Sequence, residues 1–355
     1  MGGSVKDRKN INLLFRLASI MIAIFFASVV LLIAGENPFM AFGHIFMGAV
    51  STESRIANVL VAWVPLVITT CGLAITFTVG LWNIGIEGQI TLGAIFTTWV
   101  LRILQNSSLS PALIIIIGIL AGIFGGILWA LLAGILKFFG GVNEIFAGLG
   151  LNFIATALTI WLIFGPWKRP GVGSMSGTVP FDPQLSLPTL AGLRIGFWPL
   201  FLAVLSVAMV FILLFKTSTG YSMKAVGKNQ KAAILLGISP VRYMLLAFLL
   251  CGFFAGLTGA LQVVGVYHRL IPSISSGYGF LGLLVSMLVN FHPVYAAPVA
   301  MLFAALNIGG IQLPIEMKID STLSGVLQSA LVLSFLLMEG VRKIYLNKSE
   351  VNSDE

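Results

Sequence analysis

Among the stretches of this chain without Asp, Glu, Lys or Arg are residues 17–34, 56–86, 88–101, 103–136, 145–167, 195–215, 243–267, 270–315 and 321–338. A helix rises about 1.5 Å per residue, so roughly 20 apolar residues cross the hydrocarbon core of a bilayer, which is about 30 Å thick. Most of the stretches have that reach. With 58% hydrophobic and 9% charged residues, a soluble fold would lack the polar surface to cover itself, since soluble domains are about 25% charged. Lipid is the solvent that this pattern fits.

The stretch 270–315 is too long for one helix, and Asn290-Phe291-His292-Pro293 divides it, because proline disfavours helix at the preceding residue. The expected fold is an all-α polytopic membrane protein of about ten transmembrane helices: 17–34, 57–79, 90–104, 111–136, 144–165, 196–215, 244–267, 278–291, 294–313 and 322–341. Residues 17–34 exceed the apolar core of a secretory signal, roughly 7–15 residues, and read as a retained first span. An even count places both termini on one side. With the N-terminus inside, thirteen of the twenty Lys and Arg residues face the cytoplasm, so the positive-inside rule favours two cytoplasmic termini.

One transmembrane domain, 1–355, is expected: a cytoplasmic N-terminus 1–16, a first half 17–215, a cytoplasmic segment 216–243, a second half 244–341 and a tail 342–355. Each half contains a long helix, a Gly-rich break and a shorter helix, with breaks at 80–89 and 268–279. Five spans separate the breaks, so the halves would run oppositely, as in the inverted repeats of many transporters with broken helices. The Gly-, Pro- and Ser-rich outward loop 166–194 either caps the bundle or meets a delivery partner.

Catalytic chemistry is sparse. Cys71 and Cys251 lie in apolar runs and read as small apolar side chains. His44, His268 and His292 form no metal-spaced cluster and no pair of nucleophile and base. No Gly-rich phosphate loop is present, so no cofactor is expected in this chain, and an energy-coupled transporter would take its ATPase from another.

The segment from Lys216 to Arg242, ends included, carries five basic and no acidic residues. Asn229 can cap a short helix there, residues 230–236 are mostly helix formers, and Gly237 suits the left-handed position that ends one. Such a helix either rests on anionic head groups or docks in a groove of a soluble partner. Within the apolar regions, Glu87 is the conspicuous polar group, since a carboxylate at the bilayer centre costs roughly 2.5–3.5 kcal/mol. If its segment is helical, Asn83 and Glu87 share a face, with Gln89 beside them. These residues, with Asn152, Asn290, Asn307 and Gln328, either line a path for a hydrogen-bonding substrate or form buried networks between helices. Asn143 and Glu144 suit a helix start. Trp63, Trp82, Trp99, Trp161 and Trp198 suit interfacial anchoring or base stacking.

The run 220–237, followed by Cys251-Gly252-Phe253-Phe254-Ala255-Gly256-Leu257-Thr258-Gly259-Ala260, resembles the coupling region of ABC importer permeases of the branched-chain amino acid and ribose type. Their docking pattern Gly-x-Asn-x-x-Ala-Ala-x-x-x-Gly is matched at Gly227, Asn229, Ala232, Ala233 and Gly237, with Lys228 inside it. Residues 80–89, 141–145 and 151–153 resemble the nucleoside-importer branch, and the likeness runs from about Val59 to Met338. The resemblance implies a permease of the bacterial inner membrane, working by alternating access. It further implies a partner ATPase that binds ATP and Mg, a second homologous permease, an extracytoplasmic binding lipoprotein of the basic membrane type and a nucleoside substrate, with no nucleic acid involved. Ribose-type sugars or branched-chain amino acids are the alternative substrates. A secondary transporter would usually carry several acidic residues at mid-membrane, where only Glu87 is a candidate, and an intramembrane enzyme would need a catalytic constellation.

Overall fold

The computed structural model describes residues 24–33, 35–171, 177–190 and 192–317, together with residues 18, 21, 22, 333, 334, 337, 340 and 341. The expected termini 1–16 and 342–355, Gln328 and almost all of the tenth span, 322–341, lie outside the described residues.

Regular structure among the described residues is helical, without strands, and the chain is an all-α polytopic membrane protein. The helices are α1 (Ile24–Ile33), α2 (Pro38–Val50), α3 (Glu53–Thr78), α4 (Ile86–Leu104), α5 (Pro111–Phe138), α6 (Glu144–Phe164), α7 (Phe197–Lys216), α8 (Ser218–Lys228), α9 (Gln230–Leu235), α10 (Pro240–Leu261), α11 (Tyr278–Leu288) and α12 (Pro293–Met317). Among the described residues, six helical segments are long and apolar enough to cross a bilayer, or seven if α1 and α2, bent by 113°, count as one. The expected count of about ten agrees roughly with this. The sequence reading did not foresee α2, which starts where Asn37 accepts a bond from the Phe39 N–H and Pro38 takes the first helical position.

The chain divides into two compact units, residues 1–56 with 305–355 and residues 57–304. In the first, Ala27, Leu31 and Ala41 form a small core, and Arg55 bonds the Ser51 hydroxyl at 2.9 Å and pairs with Glu316 at 3.2 Å. The second unit is built on α4, α5 and α10, which pack against one another. The buried face of α5 is a stripe of small residues that includes Gly118, Gly122, Gly126, Ala130 and Ala133. Small residues let helix backbones approach closely inside a membrane, where dispersion and not water expulsion drives association. The seam closes at Gly93, Gly126 and Gly256: a β-carbon on Gly93 would lie 2.7 Å from Gly256 Cα, and one on Gly126 would lie 2.5 Å from the same atom. Since α4 and α5 belong to the first half of the sequence and α10 to the second, the halves interleave within this unit.

Two helix breaks lie close to the expected positions, the first being shorter than 80–89 because α4 already begins at Ile86. Residues 79–85 separate α3 from α4, and residues 268–277 follow a π-helical segment, Gln262–Tyr267, that extends α10 and ends with His268 at φ 53°. The loop after α6 lies along this second break. Thr178 N–H bonds Leu270 O and Phe181 N–H bonds His268 O, each at 2.9 Å, and Leu187 N–H bonds Val264 O at 2.9 Å.

The glycine seam yields a direct test. Gly256→Leu drives a side chain into the α5 backbone, and overpacking of this kind costs about 1–3 kcal/mol or more. Monodisperse protein should be lost, whereas Gly150→Ala, which meets open space, should leave yield and melting temperature unchanged on size exclusion and thermal unfolding in detergent.

Candidate functional site

Two groups of residues singled out from the sequence are assembled by the second unit, one at the α3–α4 break and one on α8 and α9.

At the break the chain leaves helix at Val79, and the groups freed there need partners, since buried peptide groups without them cost about 1–3 kcal/mol each. Asn152 on α6 supplies two. Its Oδ1 accepts the Gly88 N–H at 2.8 Å and its amide donates to Ile84 O at 2.9 Å. Asn83 and Gln89 are buried and bond reciprocally, at 3.1 and 2.9 Å, and the Asn83 amide also reaches Cys251 Sγ at 3.1 Å on α10. Residues 81–83 are not helical, so the condition for Asn83 and Glu87 to share a helical face is not met; Asn83 meets Gln89 instead.

Glu87, in the first turn of α4, is buried and accepts the Phe280 N–H at 3.0 Å. That N–H lies in the first turn of α11, whose N-cap residue Gly277 offers no side chain, so a carboxyl group from a different helix caps α11. Gly279 lets the two elements approach: a β-carbon there would sit 2.8 Å from Glu87 Oε1. The break thus brings Asn83, Glu87, Gln89 and Asn152 together. Asn290 is not part of this cluster; it stands exposed past the end of α11 with φ 49°.

Sequence reasoning missed Trp129 on α5. Its indole nitrogen would lie 2.8 Å from a β-carbon on Gly88, and this buried N–H has no partner among the described residues. Nothing in the spacing around Trp129 marks it, because its neighbour comes from a helix one span earlier. Trp63 donates to Ala297 O at 2.8 Å, an interhelical bond.

The second group forms a foot. Asn229 is an extended residue between two helices, its N–H bonding Ala225 O of α8 at 3.1 Å while its Oδ1 caps α9 through the Ala232 N–H at 3.1 Å. Lys228 is the last residue of α8. Gly237, at φ 75°, reverses the chain, and the Ile238 N–H returns to Ala233 O at 2.9 Å. Ala233 is buried, Ala232 is exposed, and Ile234, Leu235 and Leu236 stand 60, 88 and 75% exposed. Gly227 fits α8 onto the end of α3, where a β-carbon would overlap Thr78 O. At the turn between α5 and α6, Asn143 caps α6 through the Ile145 N–H at 2.9 Å and Lys137 pairs with Glu144 at 2.6 Å.

A family model described as "Branched-chain amino acid transport system / permease component" matches residues 55–337. A glucose ABC transporter permease protein of Haloferax volcanii is 31% identical over 337 residues, 92% of this chain and 87% of the relative. A nucleoside ABC transporter permease protein of Lactococcus lactis is 27% identical, with 85% of each chain covered. A guanosine ABC transporter permease protein of Bacillus subtilis is 25% identical over 91% of this chain and 92% of its own length.

The Asn152 clamp sets an expectation for stability. Asn152→Ala strands the Gly88 N–H and the Ile84 carbonyl, at about 1–3 kcal/mol for each unsatisfied group. The melting temperature in detergent should fall by several degrees, and Asn152→Asp should fare no better, since an acceptor would then face the Ile84 carbonyl.

Proposed function

This chain belongs to the branched-chain amino acid transport system / permease component family, and on that premise we propose that it imports nucleosides as one subunit of a multi-chain transporter driven by a separate ATPase. It is a permease component of an ABC transporter and an integral membrane protein. The assembly we infer comprises this chain, a homologous second permease, an ATPase with two nucleotide-binding halves and an extracytoplasmic binding lipoprotein. It sits in a bacterial cytoplasmic membrane with both termini inside, takes up no nucleic acid, and performs no covalent chemistry in this chain, ATP and Mg being held by the ATPase.

The observation that carries the coupling role is the foot: a helix capped at both ends, anchored by Ala233, presenting Ile234, Leu235 and Leu236 outward. Ridges of this kind fit hydrophobic grooves. Gly227, Lys228, Asn229, Ala232, Ala233 and Gly237 build it, and closure of the ATPase on ATP moves it. Motion passes through Gly227 to the α3–α4 break, next to Glu87 and its capped helix, and the permease alternates between outward and inward access. Asn83, Gln89 and Asn152 hold the break in shape, Glu87 joins α4 to α11, and all four, with Asn290, are the candidates for lining the substrate path.

The nucleoside assignment is supported by the relatives named for nucleosides and guanosine. The relative named for glucose favours a sugar as the second reading. The ribose of a nucleoside, like a free sugar, presents neutral hydroxyl groups, so either cargo would be recognised by neutral hydrogen-bonding groups.

Uptake in vesicles holding the complete transporter discriminates these readings. Labelled guanosine should accumulate with ATP and be competed by other nucleosides; competition by glucose alone would reassign the cargo to sugars, and uptake by this chain alone on an ion gradient would overturn the ABC assignment. Leu235→Glu places a charge on the docking ridge and should lower substrate-stimulated ATPase and uptake more than about tenfold, about 1.4 kcal/mol or more in activation free energy, with the folded chain preserved. Glu87→Gln keeps an acceptor oxygen for the Phe280 N–H and should preserve assembly while changing the uptake rate; identical kinetics would leave Glu87 as scaffold alone.

A further inference from the structure

A second contact surface of α8 lies one turn before Gly227. Lys224 Nζ sits 3.6 Å from the centroid of the Phe215 ring at the end of α7, and 5.6 Å from that of Tyr221. Against the same Phe215 ring lies His292, 4.7 Å away between centroids, and His292 also meets Phe211 at 6.1 Å and Tyr295 at 4.6 Å. His292 belongs to the turn between α11 and α12. Its Nδ1 is buried with no hydrogen-bond partner among the described residues, so ring contacts hold it in place. Burial, and then the Lys224 ammonium, push the imidazole below its ordinary range, which keeps it neutral and suited to stacking.

The turn itself is unusual. Asn290 and Phe291 occupy the left-handed region in succession, at φ 49° and 64°, and neither is glycine. Residues persist in such conformations only where the surroundings over-determine them. Here one side of the turn is fixed by Phe291, stacked on Phe77 of α3 at 4.9 Å, and the other by His292 on Phe215.

We propose that Phe215, Lys224 and His292 are positioning residues that tie α8 to the α11–α12 turn, so that the segment bearing α9 grips both broken helices at once. Gly227 holds the α3–α4 break, His292 holds the far end of α11, and Glu87 joins α4 to the near end of α11. The contacts form a closed circuit, from α8 through the break to α4, across Glu87 to α11, and back through His292. A displacement of α8 then moves α4 and α11 together. The inference rests on the transport reading, and its specific content is that the aromatic link sets how much transport each ATP turnover yields.

The test uses the complete transporter in vesicles, with uptake and ATP hydrolysis measured on the same preparation. If the wild type shows no ATP-driven uptake, the transport reading fails before the circuit is examined. Given wild-type uptake, Phe215→Ala should leave substrate-stimulated ATPase within about twofold and lower uptake per ATP about tenfold, whereas Phe215→Trp, which retains a ring beneath Lys224, should restore most of it. Lys224→Met keeps the stem and loses the charge, and should lower the ratio while Lys224→Arg restores it; this pair decides the matter if Phe215→Ala fails to fold. An unchanged ratio in Phe215→Ala and Lys224→Met, or equal losses in the ring-bearing and ringless Phe215 variants, would overturn the proposal.

Discussion

A peptide group inside a bilayer has no water to fall back on, and that single requirement organises the second unit of this protein. A continuous helix meets the requirement by itself. A broken one does not, and each break here is met by a different device. Asn152 clamps the first from a neighbouring helix, Asn83 and Gln89 close on each other beneath it, and a carboxyl group from α4 caps α11 where its own chain offers glycine. Polar residues that look costly in an apolar sequence are the terms on which broken helices can exist.

The glycine seam complements these bonds. Close approach of α4, α5 and α10 builds a rigid frame from backbone contacts, and the breaks are hung on that frame. Rigidity and interruption therefore sit side by side. A transporter needs both, since a lever must not bend and a gate must.

Much of this was legible in the sequence because the relevant signals are local. Apolar stretches gave the helices of the second unit and the positions of both breaks. Asn229 and Gly237 gave the ends of α9, and Asn143 the start of α6, since capping is read within a few residues. Other features were hidden because they depend on distant partners. The pairing of Asn83 with Gln89 could not be read from helical spacing where the backbone is not helical, Trp129 meets Gly88 only after α5 folds back, and Glu87 finds Phe280 nearly two hundred positions away. Helix α2 escaped notice because the charged residues Glu53 and Arg55 close it off soon after Gly35-Glu36-Asn37-Pro38, so it reads as a connection.

The two interruptions are roofed differently. Over the second, residues 178–187 are held mostly by main-chain bonds to Leu270, His268 and Val264, with one side-chain bond, from the Leu270 N–H to the Thr178 hydroxyl at 3.1 Å. Over the first, α8 rests through a particular glycine, Gly227, where a β-carbon would overlap Thr78 O. Drift in sequence should therefore spread more readily across the strap than across the other cover, and relatives that carry different cargo would be expected to diverge over the second break and to keep a common grip over the first.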